Sequence, residues 1–191
     1  MSSAQAFFRA FLRAPGAIGS VFPSSRALAQ TMIRACDIQP GHVVAELGAG
    51  TGPVTRELAQ LHGVSVIAVE PDPALAALCR VAAPGIPVEE AYAQELSALL
   101  AKHGHGAADR IVSSLPFAGW SPDLQTAVMD GIVNALRPQG RMVTFTYMHS
   151  PWLPAGQRAR ALLERRFAKV TTTPIVWGNL PPAFVYVCDR A

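Results

Sequence analysis

Two carboxylates and a run of glycines carry the first chemistry legible in this 191-residue chain. Residues 46–52 are Glu46, Leu47, Gly48, Ala49, Gly50, Thr51 and Gly52, and a second acid, Glu70, closes the next apolar run. Glycines directly after a strand let the backbone turn tightly and bring its N–H groups close to a ligand. The spacing is Gly-x-Gly-x-Gly, unlike the Gly-x-Gly-x-x-Gly of dinucleotide binders, and no Lys-Ser/Thr follows as in a phosphate-gripping loop. Glu46 and Glu70 each end a β-branched run, so both carboxylates are expected at strand tips. A carboxylate at the second tip can accept both hydroxyls of a ribose.

The elements that hold these residues follow from periodicity. Short β-branched runs alternate with helical patterns, the signature of βαβ units and a parallel sheet. Strands are expected at 42–47, 64–70, more weakly at 86–92, then 109–117 and 141–148, with two more around the 178–182 turn. Helices are expected at 26–36, 53–63, 71–83, 93–104, 121–136 and 156–168. Ligands bind beyond the carboxyl ends of such strands, so the loop Ser113-Ser114-Leu115-Pro116-Phe117 should face the glycine turn.

Composition bounds the rest. Half of the residues are hydrophobic and 15% are charged, which argues against disorder. No uninterrupted apolar run approaches the ~20 residues of a membrane span. The expected organisation is one compact α/β unit, with N-terminal helices over 1–38 and the catalytic domain over 39–191. Cys36, Cys79 and Cys188 are odd in number and far apart, so no disulfide framework or zinc knuckle is expected. His103 and His105 form the closest histidine pair but have no third ligand in view, so no metal is expected. A net charge of +3 fits an anionic surface or substrate.

From residue 43 to 187 the pattern resembles the class I S-adenosylmethionine-dependent methyltransferases. The resemblance implies a Rossmann-like, mostly parallel seven-stranded sheet with helices on both faces, and S-adenosylmethionine as cofactor. It places the methionyl end on Glu46, Gly48, Ala49, Gly50, Thr51 and Gly52, and the ribose on Glu70 and Pro71. Tyr92, Ala93 and Ser113 then flank the rest of the cofactor. Many relatives carry Asp at the Tyr92 position, so Tyr92 either borders the adenine or belongs to the core.

In methyltransferases of base amino groups, the loop after the fourth strand often reads Asn-Leu-Pro-Tyr/Phe. Here Ser114 stands in the Asn position, and its hydroxyl lacks the amide's fixed acceptor and donors. The rRNA adenine dimethyltransferases also carry a helical RNA-binding domain for which the sequence offers no counterpart. Nucleic acid is therefore not expected as a partner.

The opening stretch favours a different acceptor. On a helix, Phe7, Phe8, Phe11 and Leu12 share an arc of ~140°, with Arg9 and Arg13 opposite. Such a helix either docks on the sheet domain as a lid or lies in a headgroup layer. This stretch, followed by Pro23-Ser24-Ser25, ELGAGTG, SSLPF, FTYM (145–148) and NLPPAFVY (179–186), resembles the bacterial phospholipid N-methyltransferases, which convert phosphatidylethanolamine to phosphatidylcholine. The resemblance implies a cytoplasmic enzyme held peripherally on the inner, anionic face of the cell membrane through Phe7, Phe8, Arg9, Phe11, Leu12 and Arg13.

Under that resemblance Ser113, Ser114 and Leu115 hold the amine, and Phe22, Pro116 and Phe117 line the acceptor pocket. Tyr147 donates to the lipid phosphate or anchors its strand end, with Ser24, Ser25 and Arg26 as further donors. His149 is either a base or a loop histidine, and Asn179 shapes the pocket or serves its turn. The alternatives are an rRNA adenine or small-amine methyltransferase, and a non-catalytic cofactor-binding membrane adaptor.

Overall fold

The computed structural model describes residues 25–191. The expected surface helix with Phe7, Phe8, Arg9, Phe11, Leu12 and Arg13, and also Phe22 and Ser24, lies outside the described residues. Strands β1 (Val43–Leu47), β2 (Ser65–Val69), β3 (Val88–Glu89), β4 (Ala108–Ser113), β5 (Leu136–Tyr147), β6 (Lys169–Thr172) and β7 (Ala183–Asp189) form one sheet. Its order is β3-β2-β1-β4-β5-β7-β6. The first five run parallel, and β7 enters antiparallel between β5 and β6. The chain winds outward from β1 to β3 and then restarts at β4 on the other side of β1. The switch point lies between β1 and β4, and a crevice forms there at the strand ends.

Among the described residues six helices cover the sheet: α1 (Arg26–Cys36), α2 (Pro53–Leu58), α3 (Pro73–Ala82), α4 (Leu96–Lys102), α5 (Pro122–Ala135) and α6 (Pro154–Arg166). Alternation along the strands divides the core between the two faces. Ala45, Leu47, Ile111 and Met142 pack with Leu100, Met129, Ile132 and Leu163 under α4, α5 and α6. Val44, Val112 and Val143 pack with Leu28, Met32, Val54 and Leu58 under α1 and α2. Leu28, Ala29, Met32 and Cys36 of α1 are fully buried, so this helix is part of the core layer. The helix begins where Ser25 caps it, with its Oγ accepting the Leu28 N–H at 3.2 Å.

Three elements differ from the sequence reading. Helix α2 stops at Leu58, with Ala59 as its C-cap, instead of running on to Gly63. The third strand shrinks to two residues at the sheet edge, where pairing comes from β2 alone. The Arg137-Pro138-Gln139-Gly140 stretch, which lies between the expected helix over 121–136 and strand over 141–148, is inside β5, which begins at Leu136. Gln139 takes a positive φ of 60°, and the pairing of β4 with β5 shifts register between Ala108 and Arg110. The turn residues are thus absorbed as an irregularity within a strand.

Candidate functional site

The glycine loop follows β1 directly. Gly48 N–H donates to the Val69 carbonyl at 2.9 Å, and Ser114 N–H donates to the Leu47 carbonyl at 2.8 Å, so β1, β2 and β4 converge on one point. Gly48, Gly50 and Gly52 all have positive φ, at 75°, 57° and 87°. A Cβ on Gly52 would come within 3.0 Å of Ala82 Cβ, so this glycine lets the loop pack on α3. A Cβ on Gly50 would meet nothing within 4 Å, so open space bounds the loop there. Helix α2 is six residues long and begins with Pro53, so the loop's own N–H groups present more donors than the helix end does.

Glu46 and Glu70 lie on either side of this loop. Glu70 is 2% exposed, and its Oε2 accepts the Gly50 N–H at 2.9 Å. Its Oε1 accepts the Asp72 N–H at 3.0 Å. Burial raises its pKa above the usual carboxylate range, against the pull of those two N–H groups. Glu46 is fully buried, and neither of its oxygens has a hydrogen-bond partner among the described residues. Burial pushes its carboxyl up to about 7, and Thr55 relieves the penalty only in part, without closing a bond of normal geometry. An orphaned buried carboxylate is costly, which is a reason to expect a cationic partner.

A cleft opens beside the loop, with about 400 Å³ of space continuous with solvent. Gly48, Val69, Pro71, Ala91, Tyr92, Ala93 and Leu115 line it, and Gly48, Pro71, Tyr92 and Ala93 are among the residues expected to meet the cofactor. Gln94 completes the wall with Trp120, Leu124 and Val128, and the last three were not singled out from sequence. Trp120 packs edge-on against Phe117 at 5.4 Å, and Gln125 fixes the turn by donating to the carbonyls of Phe117 at 2.7 Å and Trp120 at 3.2 Å. The only sequence signal for this wall was the Phe-Ala-Gly-Trp turn ahead of the Ser121 helix cap. Tyr92 borders the cleft at the head of a 3-10 turn, its N–H donating to Glu95 at 2.9 Å.

The acceptor-side residues form a second group. Ser113 is buried, and its Oγ accepts the Leu115 N–H at 3.3 Å. Leu115 and Phe117 pack under α5, with Pro116 between them half-buried. Tyr147 leaves β5 on the opposite face, edge-on to Phe145 and stacked on His149 at 6.0 Å. Asn179 is 5% exposed; its Oδ1 accepts the Ser25 N–H at 3.0 Å and its Nδ2 donates to the Pro181 carbonyl at 2.8 Å. It ties the 178–182 turn to the start of α1. Arg26 donates to Glu57 at 2.9 Å, although its side chain is largely exposed. No group of three or more metal-ligating side chains occurs among the described residues. His103 sits instead against Glu89, with Nε2 2.7 Å from the carboxylate.

The residues present fit S-adenosylmethionine. Glu46 offers an unpaired carboxylate to an ammonium, each Glu70 oxygen keeps a lone pair for a ribose hydroxyl, and the apolar cleft suits a purine. Fold and site together define a class I S-adenosylmethionine-dependent methyltransferase. The chain belongs to the methyltransferase domain family, whose pattern matches residues 44–140. It is 35% identical over 187 residues to an ornithine lipid N-methyltransferase of Singulisphaera acidiphila, a match covering 95% of this chain and 93% of that one. A shorter match, 44% over 59 residues, relates 31% of the chain to 22% of ribosomal RNA small subunit methyltransferase A of Thermotoga neapolitana. Among solved structures, TrmN from Thermus thermophilus superposes with a TM-score of 0.67 at 23% identity, over 96% of this chain and 53% of that one. The N-methyltransferase NodS from Bradyrhizobium japonicum gives a TM-score of 0.68 at 13% identity, over 85% of this chain and 93% of that one. Both likenesses concern the fold.

Proposed function

We propose that this methyltransferase acts on the primary amine of a membrane lipid headgroup. The observation that carries the reading is the 35% identity, across almost the whole of both chains, to an ornithine lipid N-methyltransferase. Ser114 supports it from the acceptor side, since a serine replaces the amide expected of enzymes that grip a base amino group.

S-adenosylmethionine supplies a methyl group on a positively charged sulfur, which a neutral amine takes in one displacement. The protein's task is alignment. A primary ammonium has a reference pKa of ~10.4. The largely apolar surroundings of Leu115, Phe117 and Trp120 favour its neutral form. In this reading the carbonyls of Ser113 and Ser114 accept the amine's N–H groups and aim its lone pair. The Leu115 carbonyl already accepts the Phe117 N–H at 2.9 Å. The methylated product carries the positive charge and loses a proton before any further round.

The two amino lipids in question differ in phosphate. Of the donors expected for a phosphate, Arg26 is paired with Glu57. The likeness to an ornithine lipid N-methyltransferase favours a headgroup without a phosphate ester, such as ornithine, over phosphatidylethanolamine. The test is methyl transfer from labelled cofactor to ornithine lipid, phosphatidylethanolamine and rRNA, assayed in parallel in detergent micelles. Transfer to ornithine lipid above phosphatidylethanolamine is expected. Transfer to rRNA alone would reverse the assignment.

A further inference from the structure

We infer that the loops after β5 and before β7 form a membrane-docking rim, with Trp152, Leu153, Trp177 and Leu180 entering the headgroup layer of an anionic bilayer. The inference rests on the lipid-acceptor reading and adds a surface to it.

Seven large hydrophobic side chains are exposed among the described residues, and five of them (Trp152, Leu153, Ile175, Trp177 and Leu180) come from these two loops. Trp152, Trp177 and Leu180 are 71%, 70% and 75% exposed. Scattered exposed apolar residues need no explanation, but a cluster on neighbouring loops does. The loops are neighbours because β5 and β7 pair at their ends, Tyr147 opposite Ala183, with the Met148 N–H donating to the Pro182 carbonyl at 2.9 Å. This is the sheet end at which Ser113, Ser114 and Tyr147 emerge. A lipid entering from a bilayer would cross this edge.

The residue types suit that occupant. Indole rings settle at the headgroup level, where one edge is apolar and the N–H stays wet. Charge agrees: residues 131–188 contain a single carboxylate, Glu164, already bonded to Arg160 at 2.8 Å. Of the basic residues in that span, Arg137, Arg141 and Arg166 pair with Asp109, Asp189 and Asp130 outside it, while exposed Arg158 follows Leu153 in the first turns of α6. Anionic lipid is attracted to Arg158, and no carboxylate on either loop repels it.

The tips are also held in place. Asn179 bonds at both ends of its amide, fixing the turn that carries Leu180. Gly156 lets α6 close onto the preceding turn, where a Cβ would crowd the Ser150 carbonyl and hydroxyl. Trp152 therefore projects from a braced turn.

The chain contains three tryptophans, and Trp120 is buried, so fluorescence reports largely on the rim. The experiment mixes the full chain with vesicles of phosphatidylcholine and phosphatidylglycerol, with and without bromine on the acyl chains. Emission should shift to the blue and be quenched by brominated lipid, increasingly with phosphatidylglycerol. The W152F/W177F variant should lose most of the shift. Replacing Trp152, Leu153, Trp177 and Leu180 with serine should weaken vesicle binding about tenfold or more, with cofactor affinity unchanged.

Unshifted emission from protein that sediments with vesicles would overturn the rim and place docking elsewhere. Emission already blue without lipid and unmoved by it would assign the cover to residues 1–24. A shift that follows protein concentration would assign it to a second copy. Methyl transfer to amino lipid in micelles is read separately. Transfer without docking refutes the rim alone, and docking without transfer refutes the acceptor.

Discussion

Glu70 clasps the glycine loop through Gly50: its Oε2 accepts the Gly50 N–H at 2.9 Å while Oε1 accepts the Asp72 N–H at 3.0 Å. One carboxylate thus shapes the loop and keeps lone pairs for ribose hydroxyls. Hydrogen bonds to a charged group contribute about 1.5–3 kcal/mol each, so Glu70→Ala, which removes two, should lower cofactor affinity at least about 100-fold by calorimetry. Glu70→Gln should fall between, because its amide keeps one acceptor but turns a donor toward the other N–H. Unchanged affinity in the alanine variant would take Glu70 out of the site.

Glu46 makes stability depend on pH in an unusual direction. Its folded pKa of about 7 lies above the unfolded value of 4.5. Between those values the folded state holds a proton that the unfolded chain releases, so stability should fall as pH rises through the window. Glu46→Gln keeps the shape without the charge. It should lack that slope and, without cofactor, exceed the wild type at pH 8 by on the order of 3 kcal/mol in denaturant unfolding. Parallel curves for the two proteins would show that Glu46 ionises normally.

The same carboxylate should gate cofactor affinity. An ionised Glu46 pairs with the cofactor's ammonium, so affinity should climb as pH approaches about 7. It should decline again as an α-amino group of pKa ~7.7–8.0 loses its proton. At pH 6 the affinity should lie about tenfold below its maximum. Glu46→Gln should flatten the acid limb in calorimetry across pH 6–9, whereas an intact limb would assign it to another group.

Gly50 and Gly52 should separate binding from folding. Both have positive φ, which costs a non-glycine residue about 1–2 kcal/mol. At Gly50 nothing else opposes a methyl, so Gly50→Ala should fold with a small loss and give up cofactor affinity as the methyl enters the ligand's space. Gly52→Ala adds contacts of 3.0 Å to Ala82 and 3.2 Å to Cys79, so it should lower Tm further than Gly50→Ala does. Equal Tm losses with equal affinity losses would mean that the loop does not discriminate the two roles.

Some of this was legible because it is local. The alternation of β-branched runs with helical patterns placed the strands that carry Glu46, Glu70 and Ser113, and the seven-stranded, mostly parallel sheet agrees with the expected class. Glycines after a strand announced their turn. What escaped was set by distant partners. Arg137-Pro138-Gln139-Gly140 carries turn chemistry, yet the pairing of Leu136 and Arg141 with β4 on either side of it takes it up as an irregularity within a strand. Arg26 was free to meet a phosphate until the fold brought Glu57 to it, and Gln30 bonds the same carboxylate at 3.0 Å. Trp120, Leu124 and Val128 went unmarked in the sequence, and only packing around the switch point makes them a cleft wall.

Tyr147 offers the sharpest test of the acceptor side. Its ring is edge-on to Phe145 at 5.8 Å and stacked on His149 with an interplanar angle of 3°, while its backbone pairs with Ala183. Tyr147→Phe preserves both ring contacts and removes only the hydroxyl. If that hydroxyl holds the headgroup, KM for the amino lipid should rise about tenfold, the worth of one hydrogen bond, with cofactor affinity unchanged. Tyr147→Ala should in addition lose about 2 kcal/mol of stability, since the ring packs on the layer beneath α1. A phenylalanine variant with wild-type KM and kcat would reduce Tyr147 to a strand-end anchor and move headgroup recognition to other residues of the rim.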